Sequence, residues 1–159
     1  MNEIERKFLI KFFPSIKNKK YYDNERFFLN TNNNIEERIY KKEDNYFFEK
    51  KNNISIYERK REKIQISENK FKELKKWIIW KSKRRTYYIY NNPKITIQVY
   101  KWKLKWLIRV EVEFKNINDC LSFKPLYWMW REITGTVISR DIDIIKKILK
   151  IRKPRNFFF

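Results

Sequence analysis

The sequence predicts an α+β fold: many antiparallel strands in a highly curved or closed sheet, with one main mid-chain helix. Three observations carry the prediction. Short stretches with two-residue alternation recur between turn signals. One stretch of clear helical spacing interrupts them mid-chain. Several strands also place charged side chains on one face and apolar ones on the other, in a chain that is 18% aromatic. One such strand is an ordinary amphipathic strand on a half-exposed sheet; several together require two apolar surfaces or a polar interior. A barrel interior lined with carboxylates and cations meets that requirement, because buried charges must be paired, metal-bound or matched to a charged ligand.

In chain order, the first strand runs from Glu3 to Ile10, with Glu3, Glu5 and Lys7 on one face and Ile4 and Phe8 on the other. Lys11 to Asn24 is polar, basic and broken by Pro14, so it reads as a loop. Glu25 to Asn30 is a strand centred on Phe27 and Phe28, followed by a turn at Thr31 to Asn34. Ile35 to Lys41 and Asn45 to Lys51 form a hairpin about Glu43, Asp44 and Asn45. After a turn at Asn52 and Asn53, Ile54 to Ile66 reads as one long strand. Its register is open: either Glu58 and Glu62 face inward, or Arg59 and Arg61 do.

Ser67 then caps a helix running to about Lys81, with Phe71, Leu74, Trp77 and Ile78 as its apolar stripe. Further strands follow at Arg84 to Tyr90, Lys94 to Lys101 and Trp106 to Lys115, the first two joined by a turn at Asn91, Asn92 and Pro93. A short helical turn spans Asn118 to Phe123, and Pro125 breaks the chain. Arg131 to Thr134 is extended, Gly135 marks a turn, and Asp141 to Ile151 closes as an amphipathic helix before Pro154. The 159 residues read as a single domain, 1–159, without repeat or linker.

Composition narrows the chemistry. There is no histidine and one cysteine, Cys120, read as a small buried residue. Ser-His-Asp and Cys-His catalysis, disulfide frameworks and His- or Cys-type zinc sites are thereby excluded, and any metal must take oxygen ligands. The net charge of +20 fits a polyanion holder or a lysine-solubilised aromatic fold. A codon bias toward Lys and Asn weakens it as a discriminator. No apolar run reaches the roughly 18 residues of a membrane span and no signal-peptide pattern precedes the first strand, so the expectation is a soluble, cytoplasmic protein with no membrane partner.

Charged residues at alternate positions supply the candidate site. Arg109, Glu111 and Glu113 alternate with Ile108, Val110, Val112 and Phe114; Lys83 and Arg85 stand two apart; Arg38 and Lys51 occupy the hairpin. Lys and Arg from different strands can grip a triphosphate by charge-assisted hydrogen bonds. Carboxylates beside it would repel it unless Mg²⁺ or Mn²⁺ bridges the two and activates water.

These residues resemble, in order, the motifs of the CYTH superfamily, the triphosphate tunnel metalloenzymes. Glu3-Ile4-Glu5-Arg6-Lys7 matches its N-terminal ExExK, and Arg109-Val110-Glu111-Val112-Glu113 its strand ending in an acidic pair. Lys83-Arg84-Arg85-Thr86-Tyr87 resembles its Lys-x-Arg-Tyr strand start, and Trp130-Arg131-Glu132-Ile133-Thr134-Gly135 its Lys/Arg-Glu-Val-Thr-Gly segment. Arg38 and the Lys50/Lys51 pair fall where the family places an arginine and then a lysine on the ligand. The resemblance implies a closed antiparallel β-barrel, a tunnel of about eight strands with a few flanking helices, and a hydrolase of a triphosphate, most simply inorganic triphosphate. Glu3, Glu5, Glu111 and Glu113 would hold the metal, and Lys7, Arg38, Lys51, Lys83 and Arg85 the phosphates; Glu3, Glu5 and Arg131 are assigned to catalysis. Three acids usual in the family are replaced here by Thr96, Gln98 and Thr136. That keeps other readings open: a tunnel that binds a nucleotide or polyphosphate without turnover, an RNA 5′ triphosphatase, an adenylate cyclase, or a nucleic-acid-associated protein acting through its basic surface. A homodimer is left open.

Overall fold

The structure is a computed structural model and describes residues 1–30 and 35–152. The turn predicted at Thr31 to Asn34, and Pro154, lie outside the described residues. Nine antiparallel strands occur in the order β1 (Asn2–Ile10), β2 (Tyr21–Asn30), β3 (Ile35–Lys42), β4 (Asn45–Asn53), β5 (Glu58–Ile66), β6 (Trp80–Asn91), β7 (Lys94–Tyr100), β8 (Ile108–Phe114) and β9 (Met129–Glu132). Helices α1 (Glu68–Lys75), α2 (Ile117–Ser122) and α3 (Asp141–Arg152) flank them. In space the strands run β5-β4-β3-β2-β6-β7-β8-β1-β9, and β1 also pairs with β5 through Asn2↔Lys60, Glu3↔Arg59 and Ile4↔Glu58. That last pairing closes strands β1 to β8 into a barrel and leaves no open edge among them. β9 attaches outside the closure, to the end of β1.

The barrel reverses the usual distribution of polarity. Most of its apolar residues point outward and form separate cores beneath the flanking segments. Phe8, Ile95, Ile97, Val110 and Val112 pack under Trp128 and Met129. Phe27 and Ile39 pack against Phe71 of α1. The exception is the end of the barrel closed by α3, where Ile144 packs with Tyr100, Leu104 and Leu107, and Ile145 with Phe28 and Trp80, of which Tyr100, Phe28 and Trp80 share the inward face with Arg26, Arg38 and Arg84. With most of the apolar payload outside, the lumen is free to be charged.

Several predicted boundaries are corrected. β2 begins at Tyr21, not Glu25, because β6 pairs with it from Tyr21↔Tyr87 to Phe28↔Trp80. The same ladder ends α1 at Lys75 instead of near Lys81 and starts β6 at Trp80 instead of Arg84. Ser67 does cap α1, its hydroxyl accepting from Lys70 N at 3.1 Å. Trp77, placed on the buried stripe by spacing, is 73% exposed past the helix end. β5 begins at Glu58 because Ser55 turns the chain, its hydroxyl accepting from the backbone of Tyr57 and Glu58. Gly135 has φ +79°, the left-handed region open to glycine, and a Cβ there would lie 3.0 Å from Ile56. That turn redirects the chain from β9 into the end of the barrel. Among the described residues no helix is long and apolar enough to cross a membrane.

Candidate active site in the barrel lumen

The lumen is a cavity of about 300 Å³. Eleven Lys or Arg side chains line it against six carboxylates. Its volume is at the small end for ligand sites, and its walls are polar, so a compact and highly charged ligand suits it.

One wall is acidic. Alternation on β1 and β8 turns Glu3, Glu5, Glu111 and Glu113 inward, and the register Glu5↔Glu113, Lys7↔Glu111 brings the two strands' acids side by side. One oxygen from each of the four carboxylates lies within 4.8 Å of the others. Lys7 Nζ stands 3.1 Å from Glu5 and 3.9 Å from Glu111. Lys51 binds Glu3 at 2.9 Å, and Lys94 binds Glu113 at 3.1 Å. Burial opposes ionisation of Glu3, but the Lys51 ammonium outweighs it and brings the pKa down to about 2. Glu113 moves the other way: burial and then the neighbouring Glu111 push its carboxyl above the ordinary value. Burial likewise lowers the Lys7 ammonium, against the pull of Glu5.

The rest of the lumen is cationic. Arg26, Arg38, Arg59, Arg84 and Arg109, from β2, β3, β5, β6 and β8, are each at most 9% exposed. Arg38 binds Glu49 at 3.0 Å and Glu36 at 3.1 Å, and Arg61 makes a short bond to Glu49. Burial opposes ionisation of Glu36, yet Arg59 and Arg38 bring its pKa down to about 2. Asp141, at the start of α3, meets Arg26, Arg109 and the Tyr100 hydroxyl. Even so, Arg26 Nε and Nη1, Arg84 Nε and Arg59 Nη2 are buried with no hydrogen-bond partner among the described residues. Burial and the charge of Arg84 lower the pKa of Arg26.

The lumen gathers most of the residues singled out from the sequence: Glu3, Lys7, Arg38, Lys51, Glu111 and Glu113 line it, with Glu5 buried behind Lys7. Three are elsewhere. Lys83 and Arg85 face the barrel's outside, Lys83 near the Trp102 ring and Arg85 paired to Asp23 at 2.8 Å. Cations occupy both faces of Lys83-Arg84-Arg85, so alternation alone selects neither; pairing with β2 turns Arg84 inward instead. Arg131 is exposed on β9, outside the closed barrel, while its neighbour Glu132 is bound by Arg6 at 2.7 and 2.8 Å. On β5 the open register resolves with Arg59 and Arg61 inward.

The sequence reading missed Arg26, Arg84 and Asp141 and left Arg109 outside the site. Arg26 had a signal, since Tyr22, Asn24 and Arg26 continue an inward polar face once β2 is extended. Asp141 had none beyond an acidic helix start. Gln98, where an acid was expected, links the two walls: it donates to Glu111 at 2.9 Å and accepts from Arg109 at 3.1 Å.

No protein-family model matches the sequence, and no curated protein sequence matches it. Solved structures do. The inorganic triphosphatase NE1496 superposes with a TM-score of 0.62 at 23% identity, over 90% of this chain and 93% of its own. The PH1012 protein of Pyrococcus horikoshii OT3 gives 0.57 at 16% identity, over 74% and 82%. A conserved hypothetical protein of Pyrococcus furiosus gives 0.56 at 17%, over 72% and 79%. The chain has the tunnel fold of these structures. At these identities the likeness is one of architecture, and the chemistry follows from the tunnel's own side chains.

Those side chains suit a divalent cation. All the donors at the acidic wall are carboxylate oxygens, the ligands Mg²⁺ and Mn²⁺ prefer. Glu5 Oε2 is buried with no hydrogen-bond partner among the described residues. Four carboxylates this close also repel one another: after burial, the charge of Glu111 is what raises Glu113, and a cation between them would relieve that repulsion.

Proposed function

We propose that this protein is a divalent-metal-dependent hydrolase of a triphosphate, with inorganic triphosphate as the simplest substrate. The observation that carries the reading is the meeting of two charged groups in one small lumen: four clustered carboxylates on β1 and β8, and an arginine belt with unpartnered donors beside them. A polyanion suits the belt and a metal ion the cluster, and a triphosphate with its cation brings both charges at once.

In this reading Glu3, Glu5, Glu111 and Glu113 hold Mg²⁺ or Mn²⁺, which when bound supplies Lewis-acid polarisation of phosphate oxygens and of water. Arg26, Arg38, Arg59, Arg84 and Arg109 bind and orient the phosphate chain. Lys7, between the two walls, neutralises the oxygens of the phosphoryl group nearest the acids. Lys51 keeps Glu3 ionised, and Lys94 holds the Glu113 carboxyl in position. Water adds to the terminal phosphorus, the bridging P–O bond breaks, and phosphate and diphosphate leave. Lys83, Arg85 and Arg131 have no part in this assignment.

Gln98 and Thr96 favour a second reading, a tunnel that binds polyphosphate without turning it over. Both face the lumen beside Glu111 and neither supplies the acid expected there. Phosphate release from inorganic triphosphate with Mg²⁺ or Mn²⁺ separates the two. The hydrolase reading predicts metal-dependent release abolished by EDTA. Tight triphosphate binding with no phosphate released would leave only the binder.

A further inference from the structure

The inner end of the lumen carries an anion that belongs to the protein itself. Asp141 opens α3, lines the cavity and is 4% exposed. Its Oδ1 accepts from the Tyr100 hydroxyl at 2.6 Å and from Arg109 Nη2 at 2.9 Å, and its Oδ2 makes a short ion pair with Arg26. Arg84 reaches the same group through the Tyr100 hydroxyl, at 3.1 Å. The carboxylate is fixed in place from both sides along the chain. Just before it, the Ser139 carbonyl accepts from Lys7 Nζ at 2.6 Å and Arg109 Nη1 at 3.0 Å. Just after it, Ile144 and Ile145 anchor α3 in two apolar clusters. One carboxylate is thus shared among three buried guanidinium groups, and donors on Arg26 and Arg84 are left over.

We propose that Asp141 is an end stop. It holds the innermost anion position of the arginine belt, and so fixes how far a phosphate chain runs in and which phosphorus lies beside the four glutamates. The proposal rests on the triphosphate reading of the lumen. Phosphate and carboxylate oxygens compete for the same guanidinium donors and repel each other at contact, so an incoming chain halts short of Asp141. Neutralising Asp141 frees Arg26 and Arg109 and removes the repulsion. The chain then slides deeper, binds more tightly and meets the glutamates out of register. Lengthening the side chain by one methylene moves the stop into the lumen and crowds the chain out.

The test pairs calorimetric titration of inorganic triphosphate in EDTA with phosphate release in Mg²⁺, on the full chain. Asp141→Asn is expected to bind triphosphate about tenfold more tightly and to release phosphate at least about tenfold more slowly. Asp141→Glu is expected to bind about tenfold less tightly. A residue that only held α3 in place would weaken binding in both variants, so the opposite signs mark the stop. Unchanged or weaker binding by an Asp141→Asn protein that unfolds cooperatively overturns the proposal. If that variant does not fold, Asp141→Glu decides, and affinity equal to or above wild type overturns it. Should wild type bind no triphosphate in either EDTA or Mg²⁺, the triphosphate reading falls and takes the end stop with it. Should wild type bind and both variants match it, only the end stop falls.

Discussion

The two walls of the lumen fail to balance their charges in opposite directions. On β1 and β8, four carboxylates share a few ammonium groups, leaving Glu5 Oε2 without a hydrogen bond and the Glu113 carboxyl pushed upward by burial and Glu111. Elsewhere in the lumen, on β2, β3, β5 and β6, arginines outnumber Glu36, Glu49 and Asp141, and buried nitrogens of Arg26 and Arg84 have no hydrogen-bond partner among the described residues. A purely structural network would be expected to pair these groups off, because unpaired buried charge is costly. Here an excess of acid and an excess of base share one small cavity, joined only in places, as where Arg61 lies 3.9 Å from Glu3. On the proposed reading, that imbalance suits two ligands of opposite sign: a cation at one wall and a polyanion at the other.

The largest effect expected from unbalancing the acidic wall is on turnover. Glu5→Gln should lower phosphate release by at least about a hundredfold, as loss of a metal ligand does, and weaken Mn²⁺ binding in titration calorimetry. Its unfolding midpoint should stay the same or rise, since one of four crowded carboxylates is gone. Wild-type turnover in that variant would remove the metal assignment.

The cationic wall is tested by register. Arg84→Met should weaken triphosphate binding about tenfold or more, through loss of a buried charge-assisted contact. Lys83→Met, on the outside of the same strand, should leave the affinity within about twofold. Equal losses from both would contradict the inward turn of Arg84.

Smaller effects concern how the walls are held. Gly135→Ala should cost about 1 to 2 kcal/mol in urea unfolding, since φ +79° is unfavourable for alanine and its Cβ would press on Ile56. The cationic wall also has a pH signature. The pKa of Glu36 falls from 4.5 to about 2 on folding, so its ionisation favours the folded state. That stability is fully present above pH 4.5 and is lost as the pH falls toward about 2. Glu36→Gln should therefore flatten the acid limb of the stability curve and have little effect on the slope above pH 4.5. An unaltered acid limb would show that Arg38 and Arg59 do not hold Glu36 as described.

The acidic wall was legible in the sequence because an apolar residue separates the two acids of each strand. Ile4 lies between Glu3 and Glu5, and Val112 between Glu111 and Glu113, so period-two reasoning assigns the faces. The cationic wall was less legible for a matching reason. Lys83-Arg84-Arg85 offers cations to both faces, and Tyr22-Asp23-Asn24 offers polar groups to both, so the face is set by the β2–β6 ladder and not by local pattern. The helix start at Asp141 reads as an ordinary acidic first turn, and only the packing of α3 on Phe28, Trp80 and Tyr100 carries its carboxylate into the barrel. Closure was foreseeable from the number of half-charged strands. The pairing of β1 with β5 was not, since charged residues flank both possible registers of β5.

The central claim is that the β1 and β8 carboxylates form a cation site beside the arginine belt. Anomalous diffraction from crystals soaked in Mn²⁺ tests it most directly. The account predicts a strong peak within coordination distance of Glu5 and at least one of Glu111 and Glu113. Saturating Mn²⁺ with no anomalous density among those four side chains would contradict it.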